Sequence, residues 1–578
     1  MRELYKSKAF VWTLLILFLL IWFYMLGART LVPTDEGRYA EMAREMVATQ
    51  DWITTRLNGI KYFEKPPLQT WMNAITFEVF GLGNWQARLW TGLNGLLGIA
   101  LVAYTGRRVF NERVGFYAPL VLASSLFWAA MGHINTLDMG LSGMMTLSLC
   151  ALLLAQHATA TRNEQRNWML LCWAGMALAV LSKGLIGIVL PGAVLVLYTI
   201  FSQDRGIWKR LHLIKGLLLF FLITTPWFVL VSMKNPEFAR FFFIHEHFQR
   251  FTTRIHSRTG PWYYFIPILV LGILPWLGVL LQSLWGGLRD ERNGASNFAS
   301  LSDARFQPRK MLLIWSVFIF VFFSISDSKL PSYILPIFPA LALLIACHLE
   351  SSSSKALAWS AAILAVPCAI GLAFISRVPL LAKDAYSLPL VSAHVPWIYA
   401  AALIAFVGAV LSIRLARSQR DLAVAVLAGS AFVAGQLLML GHDQQGRYSA
   451  GIDQVPAIQA ELAPTTPIYL VGMYEQSLPF YLQRTMTLVA HADELDFGLK
   501  QEPKLWLPTV DEFVAQWQAE RHAGTKAIAI IEPAIYEKLR QQDLPMRLIG
   551  EDPRRVIVAN DPDIHSLARP HNNKKSAQ

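Results

Sequence analysis

Charge is scarce in this chain. Only 16% of its 578 residues are Asp, Glu, Lys or Arg, against 54% hydrophobic. That balance excludes a disordered chain and argues against an ordinary soluble enzyme. Cysteine is scarcer still: Cys150, Cys172, Cys347 and Cys368 all lie inside apolar runs, with no C-x-x-C spacing. A disulfide framework and a thiolate zinc site are thereby excluded, and buried inert thiols are expected. No phosphate-binding P-loop, dinucleotide fingerprint or nucleophile triad stands in a suitable context, and no repeat period marks a solenoid. The net charge of +12 does not point to nucleic acid. Its Lys and Arg residues sit between apolar runs, where they orient membrane segments.

What the chain has is long apolar runs, many of about 18 to 22 residues, enough to cross a bilayer. The first follows Arg2, Lys6 and Lys8 and is too long, and lacks the cleavage site, for a signal peptide. It reads as an uncleaved membrane helix. Thirteen spans are expected, near residues 10–27, 87–105, 115–132, 139–156, 167–182, 185–201, 214–233, 264–285, 311–325, 333–349, 357–375, 397–413 and 422–441. With the N-terminus inside, the inner loops RRVFNER, QDRGIWKRLHLIK, the Arg-containing 286–310 connector and RLARSQR are all basic, as the positive-inside rule requires. Residues 1–441 thus form an all-α polytopic domain with outer loops at 29–86 and 234–263. Residues 442–578 carry strand-sized runs (PIYLVGMY, TMTLVAHA, AIAIIEPAIY, RRVIVAN) around the helical VDEFVAQWQAERH, a soluble α/β domain on the outer side. The tail ARPHNNKKSAQ reads as disordered.

The outer loops hold the chemistry. In PTDEGRYAEMAREMV, Thr34 or Asp35 can cap a helix carrying Arg38, Glu41, Arg44 and Glu45. That amphipathic helix is expected to lie along the membrane interface, presenting Asp35 to a lipid-linked substrate. In Tyr62-Phe63-Glu64-Lys65-Pro66-Pro67 the prolines bar a helix through the segment and fix an extended backbone. There Lys65 can hold a phosphate as a point charge, with Tyr62 donating; a snorkelling lysine beside an interfacial aromatic is the ordinary alternative. Asp138, Lys183 and Lys329 each stand beside a helix end in a short outer turn. Ionisable groups at membrane depth are functional candidates, although a turn residue can also reach water. Glu246 and Arg250 are i,i+4 neighbours, which a surface ion pair would equally explain.

An acid pair directly after the first membrane helix resembles the hallmark of membrane glycosyltransferases of the C-type (GT-C) fold, the fold class of protein O-mannosyltransferases. The YFEKPP stretch and Ser328-Lys329-Leu330-Pro331-Ser332-Tyr333-Ile334-Leu335-Pro336 narrow it: both look like motifs of the aminoarabinose transferases that modify lipid A, and the likeness covers essentially the whole chain. The resemblance implies an inverting transfer of 4-amino-4-deoxy-L-arabinose from undecaprenyl phosphate to a lipid A phosphate at the periplasmic face of the bacterial inner membrane, the modification behind polymyxin resistance. It assigns Asp35 and Asp138 to catalysis. Tyr62, Lys65, Arg250, Arg38, Lys183, Lys329 and Tyr333 are assigned to the carrier phosphate and substrate. No cofactor is required; Glu64 and His245 are the candidate ligands of a structural zinc, though two protein ligands do not close such a site. A monomer among membrane lipids is expected. The alternatives are a related transferase acting on protein or glycan, or a polyprenyl-lipid transporter, which would show internal repeats and broken midplane helices instead.

Overall fold

The computed structural model describes residues 3–249, 260–294 and 306–561, and these divide into two compact units. One comprises residues 1–30 and 63–445, the other residues 31–62 and 446–578. The loop expected at 29–86 therefore splits, with its first half grouped with the C-terminal residues.

The first unit is helical. It opens with α1 (Lys8–Gly27) and continues, after residue 62, with a helix at Leu68–Phe80. The latter was not expected from sequence: Pro66 and Pro67 keep the YFEK stretch out of helix, but Pro67 then serves as N-cap of the helix that follows, a position proline tolerates. Each of the thirteen expected apolar segments is helical. Among the described residues nine helices are long and apolar enough to cross a membrane, or ten if a bent pair is one span. That pair, Phe265–Gly272 and Leu277–Leu288, turns through 107° at Leu274-Pro275, where proline supplies no amide hydrogen and clashes with a preceding turn. One continuous helix was expected there. Of the remainder, Glu112–Ser124 ends at Ser125 before a short Leu126–Met131 helix, Arg162–Lys183 starts on the polar RNEQRN, and Ile186–Ser202 is only 17 residues long.

Tryptophans on glycine backbones set the helix spacing. Trp22 donates to the Gly92 carbonyl and Trp128 to that of Gly95, each at 3.2 Å. A Cβ on Gly95 would come within 2.7 Å of the Trp22 ring; small residues permit such close approach in membrane interiors. The end of α1 is held by Arg88, itself fully buried. Its guanidinium donates to the carbonyls of Leu26, Arg29 and Thr30 at 3.0, 2.7 and 2.7 Å, while Thr30 is tied to Asp443 through its amide (2.8 Å) and hydroxyl (2.9 Å).

The second unit contains α2 (Asp35–Thr49), a ribbon of β1 (Arg56–Leu57) and β2 (Ile60–Lys61), and a six-stranded sheet. The sheet comprises β3 (Ile468–Val471), β4 (Thr487–Val489), β5 (Trp506–Leu507), β6 (Ile528–Ile531), β7 (Arg547–Asp552) and β8 (Arg555–Ala559), in the order β5-β4-β3-β6-β8-β7. The first four are parallel, and β8 and β7 complete the sheet antiparallel. All four residues of β3 and of β6 are buried, as central parallel strands require. The expected strands are β3, β4, β6 and β8; β5 and β7 were not foreseen, β5 being two residues long and β7 half exposed. Residues 31–62 are stitched to this sheet domain. Asn58 exchanges two hydrogen bonds with the backbone of Met486 (2.7 and 2.8 Å), and Arg56 pairs with Glu502 at 2.7 Å. Gly37 lies so close to 476–477 that a Cβ would sit 2.5 Å from the Gln476 carbonyl. The tail expected to be disordered lies outside the described residues.

At one edge of this unit Glu461 accepts from Arg547 at 3.0 and 2.9 Å and pairs with Lys526. The Arg547 guanidinium, helped by Lys526, holds the Glu461 carboxyl down at about 2, from an ordinary 4.5. A depressed folded value contributes stability above the unfolded value that is lost as pH falls through the folded one. Glu461→Gln is thus expected to lower the melting temperature at pH 7, with the deficit shrinking between about pH 4.5 and pH 2. Thermal melts across that range test this, and a pH-independent deficit would contradict it.

Candidate active site

The reactive-looking groups form a cluster within each unit. In the second unit, Asp35 is the first residue of α2, and no side chain caps the helix. Its carboxylate is instead 40% exposed and faces Arg38 at 3.4 Å. Arg38 is buried; it pairs with Glu494 at 2.7 Å and lies over the Tyr62 ring, 6.0 Å from its centroid. Tyr62 is fixed by its backbone: its amide donates to the Thr55 carbonyl (2.9 Å) and its carbonyl accepts from the Thr55 hydroxyl (2.6 Å). Asp35, Arg38 and Tyr62, three residues singled out from sequence, are therefore brought together, with Arg38 as the hub.

Helix α2 departs from the interfacial expectation. Both its faces are covered, and Glu41 and Glu45 on the polar side are 0% and 3% exposed. Arg44 clasps Glu41 with two bonds, and Glu45 accepts from the Gly59 amide at 2.7 Å. Burial, and then the neighbouring Glu41 charge, push the Glu45 carboxyl well above the usual carboxylate range. A charge-rich helix that reads as membrane-surface in sequence is here an interior element: Arg38 and Arg44 pair with Glu494 and Glu41, and burial favours the neutral form of Glu45.

In the first unit, the Asp138 carboxylate and Lys183 ammonium form an ion pair, with side chains 8% and 15% exposed. The Lys183 Nζ stands 4.8 Å from the centroid of the Tyr333 ring, a cation–π distance. Asp138 lies in the first turn of Leu137–Ala155, Lys183 ends Arg162–Lys183, and Tyr333 sits in the 3₁₀ turn Pro331–Ile337. Three separate helix-end segments thus converge on one charge pair.

Lys329 stands differently. Its ammonium donates to the carbonyls of Phe323, Ser324 and Ser326 at 3.4, 2.8 and 2.9 Å. These end the Pro308–Ile325 helix, so Lys329 closes that terminus in the manner of basic C-terminal residues. Lys65 Nζ lies 3.0 Å from the Glu64 carbonyl and 3.7 Å from its carboxylate. The preceding Phe63 is wedged edge-on to Phe238, which meets Trp227 in the same way, both at 5.3 Å. Arg250 and the His245 side chain lie outside the described residues. Among the described residues no three His, Cys, Asp or Glu side chains gather as a metal site.

Sequence reasoning missed Glu494 and Arg88. Glu494 had a faint signal, an acid pair (Asp493-Glu494) just beyond the strand-like run TMTLVAHA. Arg88, inside an apolar segment, should have been flagged as a charge at membrane depth.

Residues 454–560 match the model of the aminoarabinose transferase C-terminal domain, and residues 64–230 that of the dolichyl-phosphate-mannose-protein mannosyltransferases. The chain is 34% identical over 348 residues to the undecaprenyl phosphate-alpha-4-amino-4-deoxy-L-arabinose arabinosyl transferase of Edwardsiella ictaluri, covering 60% of each chain. A homologue of the same name from Proteus mirabilis is 33% identical over 59% of each. The chain thus matches about three fifths of the length of these curated relatives. The crystal structure of ArnT from Cupriavidus metallidurans bound to undecaprenyl phosphate is 41% identical, covering 98% of this chain and 100% of that one, with a TM-score of 0.90. Bundle, sheet domain and matches define a multi-pass membrane protein built like the membrane glycosyltransferases. Within that class, the chain belongs to the aminoarabinose transferase family.

The buried Asp138–Lys183 pair makes a direct prediction. Asp138→Asn, which strands the ammonium, is expected to destabilise the membrane unit by about 3 kcal/mol. Combining it with Lys183→Met should recover part of that loss, because the pair acts as one unit. Additive losses in thermal melts of the three variants would show that the two residues do not depend on each other.

Proposed function

We propose that this chain is an inverting glycosyltransferase that moves 4-amino-4-deoxy-L-arabinose from undecaprenyl phosphate to a phosphate of lipid A. The carrying observation is the 41% identity, across the whole chain, to an ArnT whose structure holds undecaprenyl phosphate. The reaction takes place at the periplasmic face of the bacterial inner membrane, the side on which the C-terminal domain lies. The enzyme works as a monomer.

An acceptor phosphate oxygen attacks C1 of the sugar from the face opposite the carrier. The C1–O bond breaks and its electron pair passes to the carrier oxygen, leaving undecaprenyl phosphate with one more negative charge. Cations stabilise that charge as it develops, where prearranged electrostatics contribute most. Lys65 and Arg250 serve the carrier phosphate. Lys183 adds a third cation, which Asp138 and the Tyr333 ring hold in one orientation at the helix end. Lys329 is spent on backbone carbonyls and closes its helix.

The acceptor phosphate is ionised at neutral pH, so Asp35 has little deprotonation to perform. Its exposed carboxylate, steadied by Arg38, instead orients the acceptor, pairs with the sugar ammonium, or offsets positive charge at C1. Arg38 in turn is positioned by Glu494 and Tyr62. Glu64 and His245 are retained as candidate ligands of a structural zinc; metal analysis of the purified protein tests that assignment.

Incubating the purified chain with lipid A and the undecaprenyl-phosphate-linked sugar should add the mass of one aminoarabinose to lipid A. Asp35→Asn should abolish this addition while carrier binding persists. Near-normal transfer by that variant would remove Asp35 from the reaction, and a lipid moved without covalent product would replace transfer by transport.

A further inference from the structure

The second unit holds a crevice of about 520 Å³ that adjoins the Asp35–Arg38 cluster through Thr34 and Glu494. Its walls are the loops leaving the carboxyl ends of the parallel strands: Gly472–Gln476 after β3, His491–Leu495 after β4, and Glu532-Pro533 after β6. Strand order places β4 on one side of β3 and β6 on the other, so the chain reverses direction across the sheet here. Open α/β sheets bind ligands outside such a switch point. Gly472, at φ +75°, makes the approach possible, since a Cβ there would lie 3.0 Å from the Glu532 carboxylate.

The lining specifies what fits. Asp493, Glu494 and Glu532 bring three carboxylates, and against them stand Arg554 and the His491 imidazole. Glu494 is neutralised by Arg38 at 2.7 Å, so Asp493 and Glu532 against Arg554 leave an excess of negative charge. Among the described residues these acids do not converge on a metal-sized point; they surround a space that a small organic cation fills. Hydrogen-bonding capacity points the same way. Gln476, 8% exposed, donates from Nε2 to Glu494 at 2.6 Å, but its buried Oε1 accepts from no group. The Tyr474 hydroxyl at the same wall is likewise buried and without a partner. Buried acceptors are seldom left in that state, and a ligand carrying N–H and O–H donors completes them.

We propose that this crevice binds a small sugar bearing an ammonium group, its charge read by Asp493 and Glu532 and its hydroxyls by Gln476 and Tyr474. The assignment deepens the reading of the chain as an aminosugar transferase, and rests on it for the identity of the sugar class. It places a sugar-reading subsite in the C-terminal domain.

Binding of glucosamine to the full chain in lipid nanodiscs, followed by calorimetry with glucose as the uncharged control, tests it. Glucosamine should bind saturably and more tightly than glucose. A chain with both Glu532→Gln and Asp493→Asn should lose roughly tenfold or more in affinity, the worth of a charged hydrogen bond, while melting as the wild type does. Equal binding of glucose, or undiminished glucosamine binding by the double variant, would overturn the proposal. The transfer assay separates the two readings. No transfer to lipid A by a chain that binds glucosamine through this crevice would overturn the aminoarabinose assignment alone. Normal transfer by a chain without the crevice binding would overturn the subsite alone.

Discussion

A buried guanidinium fixes where the chain leaves its first membrane helix. Arg88 spends its donors on the carbonyls of Leu26, in the last turn of α1, and of Arg29 and Thr30 just beyond it, groups that a helix end and the exit after it otherwise leave unsatisfied. In an apolar interior both the stranded carbonyls and a lone guanidinium would be costly. Together they offset each other, and the helix end becomes a rigid point. Arg29 reinforces it by donating to the His133 carbonyl at 2.9 Å. Five residues beyond Thr30 stands Asp35.

The same economy of charge recurs at each reactive group. Asp35 is steadied by Arg38, which Glu494 and Tyr62 hold; Lys183 is held by Asp138 and Tyr333; Lys65 is set on a backbone anchored by Phe63. Charges in a chain this apolar are few, and at these sites each is held by a partner. Of the two acids expected to be catalytic, Asp138 is buried in an ion pair, whereas the Asp35 side chain is partly exposed.

Much of this was legible beforehand. Apolar length located the thirteen segments that are helical, and strand-sized runs found β3, β4, β6 and β8. These signals are local and repetitive. What escaped was tertiary. The amphipathicity of α2 distinguishes two faces but not whether the polar one meets water, lipid or protein, so a buried helix was read as interfacial. Two prolines announce that a helix cannot pass through them, yet not that one begins at Pro67. The bend at Pro275 requires knowing that neighbouring helices tolerate it. Asp35, Arg38 and Tyr62 were chosen individually, but Glu494, more than four hundred residues further along, carries no mark linking it to Arg38. Lys329 carries a second lesson: a lysine whose sequence context looks functional also closes a helix terminus, which its neighbours in sequence do not reveal.

In the proposed transfer the C1–O bond breaks while cations hold the departing carrier phosphate. Labelling the bridging oxygen of the donor, between C1 and the carrier phosphorus, with a heavy isotope follows that bond directly. Mass spectrometry of both products should find the label entirely in undecaprenyl phosphate and none in modified lipid A. Label in the modified lipid A would mean that the phosphorus–oxygen bond had broken instead, and would contradict the account.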